Sequence, residues 1–184
     1  MPDQSNNCSK VYPTVGPEHK DAPALSILAG VLKNGFLHTA IREQGGAYGG
    51  GASQDSASGV FKFYSYRDPR LGGTLQDFDN ALTWFKDNDH NDEAIEQAIL
   101  GVISSIDKPG SPAGEAKQAF HNDLQGRTAE WRNDFRQRVL KVTQDDLLRV
   151  VDVYFTESNA SYGVLIQDKN KQEAIELGFE VKEL

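Results

Sequence analysis

With 184 residues, 38% of them hydrophobic and 25% charged, the chain is sized for one domain with its own core, which excludes a disordered tail or a fibrous repeat. Lys and Arg number 19 and Asp and Glu 27, a net charge of −8 that argues against a nucleic-acid partner and favours a basic ligand over an acidic one. The single cysteine, Cys8, excludes an internal disulfide framework and a four-cysteine zinc site, and no apolar run approaches the ~20 residues of a membrane span.

Residues 1–7 are polar, lack the apolar stretch of a signal peptide, and read as a disordered or arbitrary start. Residues 8–184 read as one domain. A short strand is expected around Cys8 to Val15, ended by Pro13 and Gly16. Asp21 is placed to cap a helix whose Leu25, Leu28, Leu32 and Phe36 share one face, and Gly45-Gly46 stop it after Ile41-Arg42-Glu43-Gln44. Ala47 to about Gln54 and Val60 to Arg67 then form a hairpin, with Asp55 to Gly59 as its turn.

Asp68-Pro69 breaks the second strand, and helices dominate beyond it. Leu75, Phe78, Leu82 and Phe85 make one amphipathic stripe; Ile95, Ile99, Val102 and Ile106 make another. Pro109-Gly110-Ser111-Pro112 is the strongest break in the chain. Two helices follow, one with Ala116 and Phe120, the other with Trp131, Phe135 and Val139. Thr143 with Asp146 resembles a capping box for a helix that buries Leu147, Val151 and Tyr154. Ser161 to Ile166 and Phe179 to Val181 read as late strands. Strands early and late around a block of helices predict an α+β fold: a mixed or antiparallel sheet with helices packed on one face.

Most catalytic signatures are missing. The four histidines are scattered, and His38 has Arg42 rather than a second histidine at i+4, so no two-ligand zinc face forms there. Ser105-x-x-Lys108 sits at a helix end and is a chance match. The glycine run from Gly45 to Gly51 reverses the order of a phosphate cradle, because a helix enters it and a strand leaves it. Two readings remain for that run. One is a helix stop followed by a softened strand. The other is a backbone left open to a peptide, with Arg42 and Tyr48 aimed at it: Arg offers a fork of donors to carbonyl oxygens, and Tyr a hydroxyl for a developing oxyanion. The bland alternatives are a cation favourably placed at a helix C-terminus for Arg42 and ordinary strand packing for Tyr48.

Leu37-His38-Thr39-Ala40-Ile41-Arg42-Glu43-Gln44-Gly45-Gly46-Ala47-Tyr48-Gly49 resembles the R-E-x-G-G-A-Y-G segment of the pitrilysin/insulinase metallopeptidases, and Phe63-Tyr64-Ser65-Tyr66-Arg67-Asp68-Pro69 narrows the resemblance to the presequence protease branch. The resemblance covers roughly Cys8 to Ile166. It implies one of four related α+β repeats that close in two halves around a chamber. Zinc is held by an inverted H-x-x-E-H motif in the first repeat, with the glutamate as general base. The last repeat binds no metal and contributes an arginine and a tyrosine, which fall on Arg42 and Tyr48; Gly45, Gly46, Ala47 and Gly49 would line the substrate beside them.

This chain lacks the inverted zinc motif. The resemblance therefore implies the C-terminal, substrate-binding repeat of a zinc metalloendopeptidase that degrades short unstructured peptides, inactive alone. Zn2+ would be bound by the N-terminal half of the same parent chain, which would also be the repeat's partner. Peptides, basic ones among them, would be the substrates, with no nucleic acid or membrane involved. The location implied is intracellular: cytoplasmic in a prokaryote, the mitochondrial or plastid matrix in a eukaryote. The alternative is a non-catalytic structural or peptide-binding module of the same fold.

Overall fold

The computed structural model describes residues 5–88, 90, 92–107, 111–124 and 126–183. The break at Pro109-Gly110 lies outside the described residues, as does the first part of the polar start. The first strand, β1, runs Asn6–Pro13, two residues ahead of the expected start. It sits inside a four-stranded sheet of order β2-β3-β1-β4, where β2 is Gly49–Asp55, β3 is Val60–Asp68 and β4 is Ser161–Leu165. All three ladders are antiparallel. The expected hairpin is β2–β3, closed by Asp55, whose carboxylate accepts from Ser58 Oγ at 2.9 Å and Ala57 N at 3.1 Å. Gly59 completes the turn at φ +65°, a conformation glycine enters without strain.

Alternation along β1 and β3 buries one face. Cys8, Lys10, Tyr12, Phe61 and Phe63 point inward, while their neighbours are half-exposed. Phe155 joins Tyr12 and Phe61 edge-on, with ring centroids 4.9 and 4.8 Å apart. The helices cover that face, so the α+β architecture read from the sequence is the one observed: α1 (Ala22–Leu32), α2 (Gly72–Asp87), α3 (Asp92–Asp107), α4 (Pro112–Leu124), α5 (Ala129–Val139), α6 (Gln144–Tyr154) and α7 (Lys171–Glu176). The capping box opens α6 as expected, with Asp146 N donating to Thr143 Oγ1 and Thr143 N to the Asp146 carboxylate. Phe179 to Val181 is not a strand, and α7 just ahead of it was not foreseen. In α4, Ala116 and Phe120 face outward rather than into the core.

Past Leu32 the first helix changes character. Lys33–Gln44 is π-helical, with a wider turn than the 3.6 residues of an α-helix. The buried stripe therefore passes from Leu32 to Leu37 and Ile41, and Phe36 slips to its margin against Trp84. Together the two segments make a 23-residue helix with a hydropathy of 1.3, long and apolar enough to cross a membrane by length and composition. Its apolar side chains are instead core: Leu25, Ile27, Leu28 and Leu32 are fully buried.

Two ionic ties depart from the hydrophobic pattern. Lys10, fully buried on the central strand, pairs with Asp79 of α2, and its ammonium lies 4.8 Å from the Tyr162 ring centroid and 5.3 Å from that of Tyr12. Burial, the largest single influence, would lower its pKa; hydrogen bonding to Asp79, Tyr12 and Tyr162 together outweighs that and holds the ammonium charged above its ordinary range. Asp21 stands at the N-cap of α1 but makes no side-chain cap bond. Its buried carboxylate instead accepts from Tyr154 Oη at 2.8 Å and faces Arg149 at 2.8 Å, tying α1 to α6. Burial opposes ionisation of Asp21, but Arg149 and Tyr154 outweigh it and hold its pKa down, while burial and that same carboxylate push the Tyr154 phenol to about 12.

Because the folded Asp21 ionises at lower pH than an unfolded Asp (~3.9), its contribution is complete above that value and disappears as pH falls through the folded value. Asp21→Asn is expected to cost about 2 kcal/mol at pH 7. In denaturant titrations the gap to the native chain should close as pH drops below about 4.

Candidate functional site

The two motifs singled out in the sequence meet in space. The π-helical segment ends in the turn Gly45-Gly46, where Gly46 takes φ +79° and its N–H donates to the Arg42 carbonyl at 3.1 Å. Ala47 N then donates to the Ile41 carbonyl at 3.1 Å, and Tyr48 N to the Arg67 carbonyl at 3.1 Å, which starts the β2–β3 ladder. Arg42 and Tyr48 thus flank one tight turn, and both are exposed, Tyr48 to 63%. Among the described residues neither the Arg42 guanidinium nor the Tyr48 hydroxyl has a hydrogen-bond partner. The carboxylate next to Arg42, Glu43, is engaged by His38 at 3.3 Å and Thr39 at 2.9 Å.

The turn is held from beneath by the stretch that follows β3. Arg70 Nη2 donates to the Ala40 carbonyl at 3.1 Å and to Asp77 Oδ2 at 2.8 Å. Its guanidinium fills the space over Gly45, where an added Cβ would stand 2.1 Å from Nη2 and 2.5 Å from the Ile41 carbonyl. Asp68, fully buried, fixes the start of that stretch by accepting from Arg70 N at 2.9 Å and Thr74 Oγ1 at 2.7 Å. Arg67 adopts φ +48°, unusual outside glycine, and its guanidinium lies 5.7 Å from the Tyr48 ring centroid. Tyr66 packs on the other side of that ring, with centroids 5.6 Å apart, and occupies the space a side chain at Gly49 would need.

The sequence-derived site residues therefore fall into two groups. Arg42, Gly46 and Tyr48 present themselves outward; Gly45 and Ala47 are buried below them, and Gly49 is half-covered by Tyr66. The intramolecular fit supplies a reason of its own for glycine at 45 and 49. Reasoning from spacing missed Arg70, Asp68 and Arg67 as the support of the turn. The only available signal was that Arg67-Asp68-Pro69 closes the second motif. No group of three or more His, Cys, Asp or Glu side chains among the described residues is placed to hold a metal, so these residues do not fit a zinc site. Cys8 is buried, and desolvation pushes its thiol to about 11, which closes off thiolate chemistry at neutral pH.

The model of the PreP C-terminal domain matches residues 1–167. The chain belongs to the PreP C-terminal domain family. It is 37% identical over 159 residues to the mitochondrial presequence protease of Mus musculus, an alignment that covers 86% of this chain and 15% of that protein. The chain thus spans about a seventh of the length of such relatives. Two solved structures share the fold at low identity. A protease from Helicobacter pylori superposes with a TM-score of 0.73 at 17% identity, over 89% of this chain and 41% of that one. Pitrilysin superposes with a TM-score of 0.65 at 13% identity, over 88% of this chain and 18% of its own.

Gly45→Ala is expected to lower stability by roughly 2–3 kcal/mol, since the methyl group must displace Arg70 and still meet the Ile41 carbonyl. In the Arg70→Ala background the same substitution should cost less but not nothing, a non-additivity that urea denaturation of the four variants would measure.

Proposed function

We propose that this domain is the substrate-handling wall of a zinc metalloendopeptidase that cuts short unstructured peptides. The observation that carries the reading is the exposed pair Arg42 and Tyr48 on either side of a tight glycine turn, with no hydrogen-bond partner for the guanidinium or the phenol hydroxyl among the described residues. The Tyr48 hydroxyl would donate to the oxyanion that develops on the scissile carbonyl, and the Arg42 guanidinium would hold a neighbouring peptide carbonyl. Gly46 would meet the peptide with its backbone, while Gly45, Ala47 and Gly49 keep that backbone in place. Zn2+, held by the N-terminal half of the parent chain, would supply the Lewis acid and the activated water. That half would be the domain's partner. The −8 charge suits attraction of basic peptides into the chamber. The mitochondrial setting of the mouse relative supports a matrix location in a eukaryote; in a prokaryote the cytoplasm would be the corresponding compartment.

The test is peptide turnover by the full-length enzyme. Tyr48→Phe should reduce kcat on the order of a hundredfold, the usual cost of one oxyanion donor. Arg42→Ala should raise KM while zinc content stays the same. Unchanged turnover in both variants would leave the domain as a structural wall only, and zinc loss in the arginine variant would overturn the division of roles.

A further inference from the structure

We infer that the free edge of β2 forms, with α1, α3 and α5, a groove that takes an extended peptide segment alternating apolar and acidic side chains. The proposal extends the peptide-handling reading to a second place on the domain, built from residues other than Arg42 and Tyr48.

Among the described residues, β2 is an outer strand of the sheet and pairs only with β3. Because Tyr48 N donates to the Arg67 carbonyl, the register places Gly50, Ala52 and Gln54 in the pairs that exchange hydrogen bonds with β3. The N–H and C=O groups of Ser53 and Asp55 then face away from β3, unpaired, as the template for a further strand. A cavity of about 720 Å³ lies along this edge, floored by Ala29 and Gly30 of α1 and walled by Ile106 of α3 and by Trp131 and Phe135 of α5. The two rings are stacked, with centroids 5.3 Å apart. The volume is within the range of ordinary ligand sites.

Charge selects the occupant. Lys62, Arg127 and Arg132 all line the groove; among the described residues none is in a close ion pair, and Arg127 lies 5.5 Å from the Trp131 ring centroid. Asp55, the only acidic residue among the described ones that line it, is held in its turn by Ser58 and Ala57 and feels the charge of Lys62. Two buried polar atoms of the lining, Ser53 Oγ and Arg127 Nε, have no hydrogen-bond partner. On a chain of net charge −8, a groove with three cations outside any close ion pair is the opposite of its surroundings. An added strand sends alternate side chains to opposite faces. Those on the side of Ala52 would meet Ile106 and Phe135, and those on the side of Lys62, the cross-strand partner of Ser53, would meet its ammonium.

The experiment uses the 184-residue chain and two capped octapeptides, one alternating Val and Glu, the other Val and Lys, with affinity read by calorimetry at low salt. The acidic peptide should bind at least tenfold more tightly than the basic one and weaken as salt is added. Amide exchange at Ser53 and Asp55 should slow on binding. The double variant Lys62→Gln/Arg132→Gln, its fold checked by circular dichroism, should lose the preference. Equal or reversed affinities, a preference that survives in the variant, or binding without slowed exchange at Ser53 and Asp55 would each overturn the proposal. Tyr48→Phe should leave this binding unchanged, so a failed groove and a failed oxyanion role are seen separately.

Discussion

The Arg70 guanidinium is the contact on which the exposed turn depends. A helix ends with carbonyls that have no intrahelical donor, and its C-terminus carries partial negative charge. The π-helical segment aggravates this, because its last turns are wider and end abruptly at Gly45-Gly46. Arg70 answers both needs at once: one nitrogen donates to the Ala40 carbonyl, and the cation sits at the negative end of the helix. Asp77 on α2 keeps the guanidinium there, and Asn6 of β1 donates to the Arg70 carbonyl at 3.2 Å. Three elements distant in sequence thus converge on one residue. A lysine would not serve as well, since it lacks the planar fork that lets a single group fill the slot over Gly45 while reaching two acceptors.

This arrangement changes what the glycine run means. From spacing alone, glycines 45 to 51 read either as a helix stop followed by a softened strand or as backbone left open to a peptide. In the folded chain most of that openness is used internally: Arg70 lies over Gly45, the Tyr66 ring over Gly49, and Ile41 against Gly50. The chain brings its own side chains close so that the turn between Arg42 and Tyr48 has no freedom. For a hydroxyl to stabilise developing charge, it must already stand where that charge will appear, with no reorganisation at the moment of reaction. In the proposed role, the internal glycine packing would hold the outward Arg–Tyr pair in place.

Much of the fold was legible because one-sided burial leaves a period in the sequence. The hairpin, the stripes of α2 and α3 and the capping box at Thr143 follow from local rules that tertiary contacts reinforce. What escaped was set by distant partners. Nothing local in the sequence marks Lys10 as buried; Asp79, 69 positions away, and the rings of Tyr12 and Tyr162 enclose it. Asp21 reads as a helix cap, yet its carboxylate turns to Arg149 and Tyr154. The start of α2 has no cap in its own sequence, because Glu173 of α7 accepts from Gly72 N at 3.0 Å. The π-helical stretch escaped because residues spaced for 3.6 per turn can be rewound locally once Leu37 and Ile41, rather than Phe36, fit the core. At the site, Arg42 and Tyr48 were legible through resemblance; the supports beneath them were not, because a residue that fills space under a glycine leaves no periodic mark.

The charge balance, which first argued for a basic ligand, describes the surface average and not each place on it. A net charge of −8 acts over long distances and sets which molecules approach. Lys62, Arg127 and Arg132 would act within a Debye length of ~10 Å and set what remains bound once a segment lies against β2. The two fields are compatible on one peptide chain whose sequence carries both signs, because an extended strand presents successive side chains to different surroundings. A domain built this way would discriminate along the length of a peptide rather than by its total charge. That distinction would follow from geometry: Tyr48, just ahead of β2, and Ser53 within it lie roughly five residues or about 17 Å apart, farther than a Debye length, so each would read its own part of the ligand.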